Sequence, residues 1–169
     1  YLALENNVSG DSNIAIGRQT MGLNVSGSNN QVIGQNALKD CLDCDSNSVF
    51  GLSAMTGLDS GIRNVVMGNR ALMSVSTSSR TLAMGAYAGS DLTTGDNNIF
   101  LGYQAGDNLT TGSNNLIIGH DVDAPNSAGS NQMNIGNLLF SQGIDATGGG
   151  LSSGNLGIGM NAPYAMEGD

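Results

Sequence analysis

The sequence predicts an all-β fold, a parallel β-solenoid or β-roll of 17-residue repeats, assembled as a homotrimer. Three observations carry this reading. A glycine closing an apolar run recurs at Gly17, Gly34, Gly51, Gly68, Gly85, Gly102, Gly119 and Gly136, 17 residues apart each time. The composition favours turns, with 26 Gly, 2 Pro, no Trp and 11% charged residues. Gly and Asn tolerate positive φ, which a fold made of many tight turns needs. Finally, two adjacent columns of the repeat are both apolar, which is more than one core face requires.

Taking the marker glycine as position 0, each column has its reason. Position −4 holds Asn13, Asn30, Asn47, Asn64, Thr81, Asn98, Asn115 and Gln132. Position −1 holds Ile16, Ile33, Phe50, Met67, Met84, Leu101, Ile118 and Ile135, all apolar. Position −2 holds Ala15, Val32, Val49, Val66, Ala83, Phe100 and Ile117, then Asn134. Position +3 holds Thr20, Ala37, Ala54, Ala71, Ala88, Ala105, Val122 and Leu139. Position +10 returns to glycine at Gly27, Gly61, Gly95, Gly112 and Gly129. The run before each marker suits a strand, and a second short strand is expected around position +3. Stacked copies would then pair in parallel about 4.8 Å apart, giving a rod on the order of 40 Å long. Helix is disfavoured, because each Gly costs roughly 1 kcal/mol against Ala. Disorder fits poorly with apolar residues held at fixed positions.

Neighbouring strand residues face opposite sides. The expectation is that position −1 lines the core and position −2 forms an exposed apolar stripe. Such a stripe marks an interface, and its simplest cover is an identical chain about a symmetry axis. The alternative is cover from another part of the same chain.

The repeats define a unit over residues 1–140. Residues 141–169 form a Gly/Ser-rich transition, with Asn155-Leu156-Gly157-Ile158-Gly159 repeating the phrase 23 residues after Gly136. Ala3, Leu4 and Gly10 fit positions +3, +4 and +10, so the chain opens in mid-repeat. A processed chain, or part of a longer one, is expected. The net charge of −9 argues against nucleic acid and anionic membrane as partners. No apolar run approaches the roughly 18 residues of a membrane span, so no membrane insertion is expected.

The phrase Asn-x-x-Ile-Gly-x-x-Ala, at Asn30 to Ala37, resembles the repeat of trimeric autotransporter adhesin heads. That resemblance implies a trimer of left-handed parallel β-rolls, with a longer outer loop than those repeats carry. The runs Gly112 to Gly119, Asn131 to Gly136, Gly154 to Gly159 and Asn161-Ala162-Pro163 more closely resemble bacteriophage tail fibre and tailspike stems. Those stems precede an endosialidase-type intramolecular chaperone that is often cleaved after trimerisation. The resemblance covers nearly the whole chain. It is specific for architecture and weak for function, because a scaffold phrase carries no chemistry.

Candidate chemistry is sparse. Cys41 and Cys44 form the one Cys-x-x-Cys, open to a local disulfide, to free thiols, or to metal or redox use. A zinc site lacks two further ligands. Asp40, Asp43 and Asp45 could bind Ca²⁺ weakly or form a solvated loop. His120 stands alone beside Asp121 and Asp123, either as a surface turn residue or gathered about a three-fold axis. Asp91, Asp96 and Asp107 lie in adjacent loops, where a glycosidase carboxylate pair would sit. No Gly-x-Ser-x-Gly elbow occurs. Gly148-Gly149-Gly150 neither follows a strand nor opens a helix, so it is not a phosphate loop. Catalysis is not expected, and neither is a cofactor. Asn-x-Ser/Thr occurs at Asn24 and Asn108. Tyr87 and Tyr103 are the candidates for contact with a host cell-surface glycan or receptor. The expected function is a structural shaft in a viral tail fibre, located in the virion. A bacterial surface adhesin head is the alternative, and a polysaccharide-degrading tailspike is the third.

Overall fold

The computed structural model describes residues 2–142 and 155–158, with Phe140, Gln142 and the last four through their backbone only. The stretch 143–154 and the phrase at Asn161 lie outside the described residues. One strand forms in each coil: β1 (Ile14–Ile16), β2 (Gln31–Ile33), β3 (Ser48–Phe50), β4 (Val65–Met67), β5 (Leu82–Met84), β6 (Ile99–Leu101), β7 (Leu116–Ile118) and β8 (Gln132–Ile135). Seven successive parallel pairings join them. Val32 sits opposite Val49, and Val49 opposite Val66, so the register equals the sequence period. The fold is a parallel β-solenoid, and no helix occurs among the described residues.

The marker glycines from Gly17 to Gly119 have φ between 134° and 151°. A Cβ at Gly34, Gly51, Gly68, Gly85 or Gly102 would collide with the carbonyl oxygen of the next coil's marker. The column therefore admits no side chain.

The expected second strand does not form. Left-handed residues recur instead at position +2 (Gln19, Asn36, Ser53, Arg70, Tyr87, Gln104, Asp121) and at position +4 (Met21, Leu38, Met55, Leu72, Gly89, Gly106). This alternation turns the chain too sharply for a strand, yet it still stacks. Leu38 N–H donates to Ala54 O at 3.0 Å, Met55 to Ala71 at 2.9 Å, and Leu72 to Ala88 at 3.0 Å. A left-handed L-residue costs about 1–2 kcal/mol. Full burial of Met21, Leu38, Met55 and Leu72 offsets this, at about 1.5–3 kcal/mol each.

The two apolar columns are exchanged relative to expectation. Position −2 is the core column: Val32, Val49, Val66, Ala83, Phe100 and Ile117 are all fully buried. Position −1 faces outward, with Ile16 at 57% and Leu101 at 41% exposure. Facing partners explain the choice. The −2 side chains meet the buried residues of positions +3, +4 and +7 across the coil. Size is balanced there: a Cβ on Gly89 or Gly106 would strike the Phe100 ring. Where the −2 residue is Phe, the +4 residues flanking it are therefore Gly rather than Leu or Met.

Position −4 forms a buried amide ladder. Asn30 Oδ1 accepts from Asn47 N–H at 3.0 Å and from Asn47 Nδ2 at 3.1 Å. Asn47 Nδ2 also donates to Gly61 O at 3.0 Å. The pattern repeats at Asn64 and at Asn115. Thr81 interrupts it. Its Oγ1 lies 3.0 Å from Ser78 Oγ, and Asn98 N–H reaches it at only 3.4 Å.

The solenoid geometry ends earlier than residue 140. Gly136 has φ 60°, unlike the other markers, and it turns the chain into β9 (Leu139–Gln142), which pairs antiparallel with β8. The last phrase forms β10 (Asn155–Ile158), antiparallel to β9 rather than a further parallel rung.

Candidate functional site: an exposed apolar ladder and an aromatic strip

Positions −3 and −1 share the outward face of the sheet. Ile14, Ile16, Ile33, Val65, Met67, Ile99 and Leu101 are 38–57% exposed on it. Phe50, Leu82, Met84, Leu116 and Ile118 continue the surface half-buried. Gln31 and Ser48 are the only polar residues in the two columns between Ile14 and Ile118. No charge interrupts seven consecutive rungs. The sequence reading foresaw an exposed apolar stripe but missed the −3 column, which doubles its width.

Around the corner from this face lies a strip made by positions +1 and +2 of four successive coils. The left-handed backbone at Arg70 and Tyr87 (φ 56° and 60°) directs those side chains along the surface. The Arg70 guanidinium lies 5.8 Å from the Tyr87 ring centroid, and its Nη1 donates to Tyr87 Oη at 3.1 Å. Tyr87 meets Tyr103 edge to face, with centroids 6.4 Å apart. Tyr103 stacks on His120 at 5.1 Å. Tyr87 and Tyr103 are thus brought together, and the strip extends to Arg70 and His120, which the sequence reading had not joined to them. One face of Tyr103 is already occupied by His120.

Beside the strip, Asp107 sits within the field of Asp91, Asp121 and Asp123. Burial pushes its carboxyl up from the ordinary value. The hydrogen bond from Gln104 opposes this, and the three neighbouring carboxylates add to it. Asp96 is engaged elsewhere, accepting from Ser79 N–H at 2.8 Å and from Arg80 at 3.2 Å.

Cys41 and Cys44 are fully buried and are joined as a disulfide. Cys41 occupies the +7 column that holds Leu58, Val75, Leu92 and Leu109 in the four coils that follow, so the pair takes the place of core packing at that corner. The three nearby carboxylates diverge. Asp40 pairs with Lys39 at 3.7 Å, Asp43 accepts from Ser26 Oγ at 3.1 Å, and Asp45 accepts from Ser28 N–H at 2.6 Å. Among the described residues, no group of three or more His, Cys, Asp or Glu side chains is placed to hold a metal ion. No helix among them is long and apolar enough to cross a membrane.

Comparison with protein-family models, with curated proteins and with solved structures gives no match.

Proposed function

We propose that the chain is a shaft segment of a homotrimeric viral tail fibre, a stiff rod that supports attachment to a host receptor. The single observation that carries this reading is the charge-free apolar ladder on the outward face of the sheet. Covering its seven most exposed residues, which average under half exposed, would contribute roughly 5–9 kcal/mol per chain at about 1.5–3 kcal/mol per fully buried side chain. That is comparable to the about 4–15 kcal/mol that association costs. Three chains around one axis cover all three ladders and leave the polar coils outside. The resemblance to fibre stems and the uniform coil length support a spacer over a dedicated binding head. The proposed location is the virion.

Native mass spectrometry tests the reading. The expected species is a trimer at three times the 17.1 kDa chain mass. A monomer at micromolar concentration would overturn it.

The aromatic strip favours a second reading, a surface adhesin contacting a host glycan through Tyr87 and Tyr103. Tyr103 is 43% exposed and Tyr87 half-buried, and both carry a phenolic hydroxyl that can donate and accept a hydrogen bond. Glycan-array binding that disappears in Tyr87→Ala/Tyr103→Ala supports this role, and unchanged or absent binding rejects it.

A further inference from the structure

Position +2 stacks Arg70, Tyr87, Gln104 and Asp121 in one column over successive coils. The backbone holds their register. Tyr87 N–H donates to Asn69 O at 2.9 Å, Gln104 N–H to Ala86 O at 3.0 Å, and Asp121 N–H to Tyr103 O at 2.8 Å. Opposite charges therefore stand at the two ends of the column, with the Tyr87–Tyr103 pair between them. Neither end is neutralised. Lys39 and Arg80 have carboxylate partners, but the exposed Arg70 has none among the described residues. Its Nη1 donates to Tyr87 Oη, which leaves Nε and Nη2 open. The exposed Asp121 carboxylate likewise makes no hydrogen bond or ion pair among the described residues. Three rungs separate the two groups, about 14 Å at ladder spacing. That exceeds the screening length of about 8–10 Å at ordinary ionic strength, so the two do not neutralise each other. The sorting of charge continues beyond the column. No Lys or Arg follows Arg80, and Asp91, Asp121 and Asp123 all act on Asp107 beside the strip.

Resting on the glycan reading of this strip, we propose that its ligand is a zwitterionic oligosaccharide, one that carries both a carboxylate sugar and an amino sugar. It lies along the rod axis, with the carboxylate on Arg70 and the ammonium on Asp121. A guanidinium takes a carboxylate through two parallel N–H bonds, and Nε and Nη2 supply that fork. The Tyr87 hydroxyl, whose oxygen accepts from Arg70, keeps its own proton to donate to the same group. The rings between the two ends supply apolar surface for the faces of the sugars. Charge disfavours the simpler classes. A polyanionic glycan would set a carboxylate against Asp121, with further carboxylates close by. A polycationic one would set an ammonium against Arg70. A neutral one would gain from neither charge. A ligand with both signs, in this order, is favoured along the whole strip. Arg70 and Asp121 thus determine specificity and fix the direction in which the ligand lies.

Calorimetric titration of the full chain at neutral pH and low salt tests this. The probes are tetrasaccharides: neutral chitotetraose, its cationic de-acetylated form, anionic hyaluronan, and N-deacetylated hyaluronan, which carries both charges. The last is expected to bind about five- to tenfold tighter than each of the others, an advantage that shrinks with added salt. Arg70→Gln should abolish its advantage over the cationic probe and spare its advantage over the anionic one. Asp121→Asn should do the reverse. A merely structural role would not produce that crossed pattern, and an equal loss for every probe in both variants would overturn the proposal.

Tightest binding of the neutral probe, or of one with a single sign of charge, would also overturn it and leave the glycan reading standing. So would failure of every probe in a chain that binds a glycan array. Unchanged binding of the zwitterionic probe in Tyr87→Ala/Tyr103→Ala would instead sink the glycan reading of the strip, and this proposal with it. Circular dichroism of each variant separates loss of binding from loss of fold.

Discussion

Asn47→Ala removes one link of the buried amide ladder, and its effect follows from the bonds that link makes. The Asn47 side chain donates to Asn30 Oδ1 and Gly61 O, and accepts from Asn64 N–H and Asn64 Nδ2, all within 3.1 Å. Asn30 Oδ1 keeps the Asn47 backbone donor, and Asn64 Nδ2 keeps Ser78 O. The Asn64 N–H and the Gly61 carbonyl lose their Asn47 partner. The buried Asn64 N–H left unsatisfied costs about 1–3 kcal/mol and the bond lost at the half-buried Gly61 carbonyl about 0.5–1.5 kcal/mol, so the variant should lose roughly 1.5–4.5 kcal/mol. The control is Thr93→Val, which removes an exposed hydroxyl bonded to Thr110 O at 2.8 Å and should lose under about 1 kcal/mol. Urea unfolding followed by circular dichroism gives the difference. Hydrogen exchange at the Asn64 amide localises it, since a repeat array need not unfold all at once. If Asn47→Ala unfolds at the same urea concentration as Thr93→Val, the ladder is decorative and the reasoning fails.

Restoring the interrupted link with Ser78→Gly/Thr81→Asn should stabilise the middle coils by about 1–2 kcal/mol, one improved and one added hydrogen bond; a lower melting temperature would contradict it. Gly68→Ala places a Cβ against the Gly85 carbonyl at φ 151° and should cost at least about 2 kcal/mol, whereas Gly22→Ala, whose nearest contact is 3.3 Å, should be mild in the same melt. Asp107 has a folded-state carboxyl raised above its ordinary value, mainly by burial. The fold disfavours its charged form, so the group lowers stability above that raised value, and the penalty fades as pH falls towards the unfolded value. Asp107→Asn should therefore raise the melting temperature at pH 7 and leave it unchanged near pH 3. An equal shift at both values would assign the effect to packing instead of charge.

The period was plain in the sequence because backbone sterics enforce it: a column that excludes Cβ can only be glycine. Which apolar column faces the core was not plain, since positions −1 and −2 are equally apolar. The deciding signal lay in position −3. Gln31 and Ser48 there share a face with position −1, and a dry core would not seat them unpaired. The left-handed +2 and +4 residues gave no signal, because Leu38, Met55 and Leu72 are residues that rarely adopt that conformation on their own. Tertiary stacking imposes it. Gly136 keeps the marker position but not the marker geometry, and identity alone could not distinguish a coil corner from a hairpin turn. Within the candidate site, Tyr87 and Tyr103 stood out as nearby aromatics. Their union with Arg70 and His120 depended on the left-handed turn that aims Arg70 and Tyr87 along the axis.

A register locked at every coil makes length a counted quantity. Inserting one residue within a strand would turn its core side chains outward and its outer ones inward. Inserting 17 at a marker glycine only adds a rung, about 4.8 Å of rod. Such a chain can be lengthened or shortened by whole 17-residue repeats without redesigning a core. Duplicating residues 52–68, from one marker to the next, would make a longer ruler from the same parts.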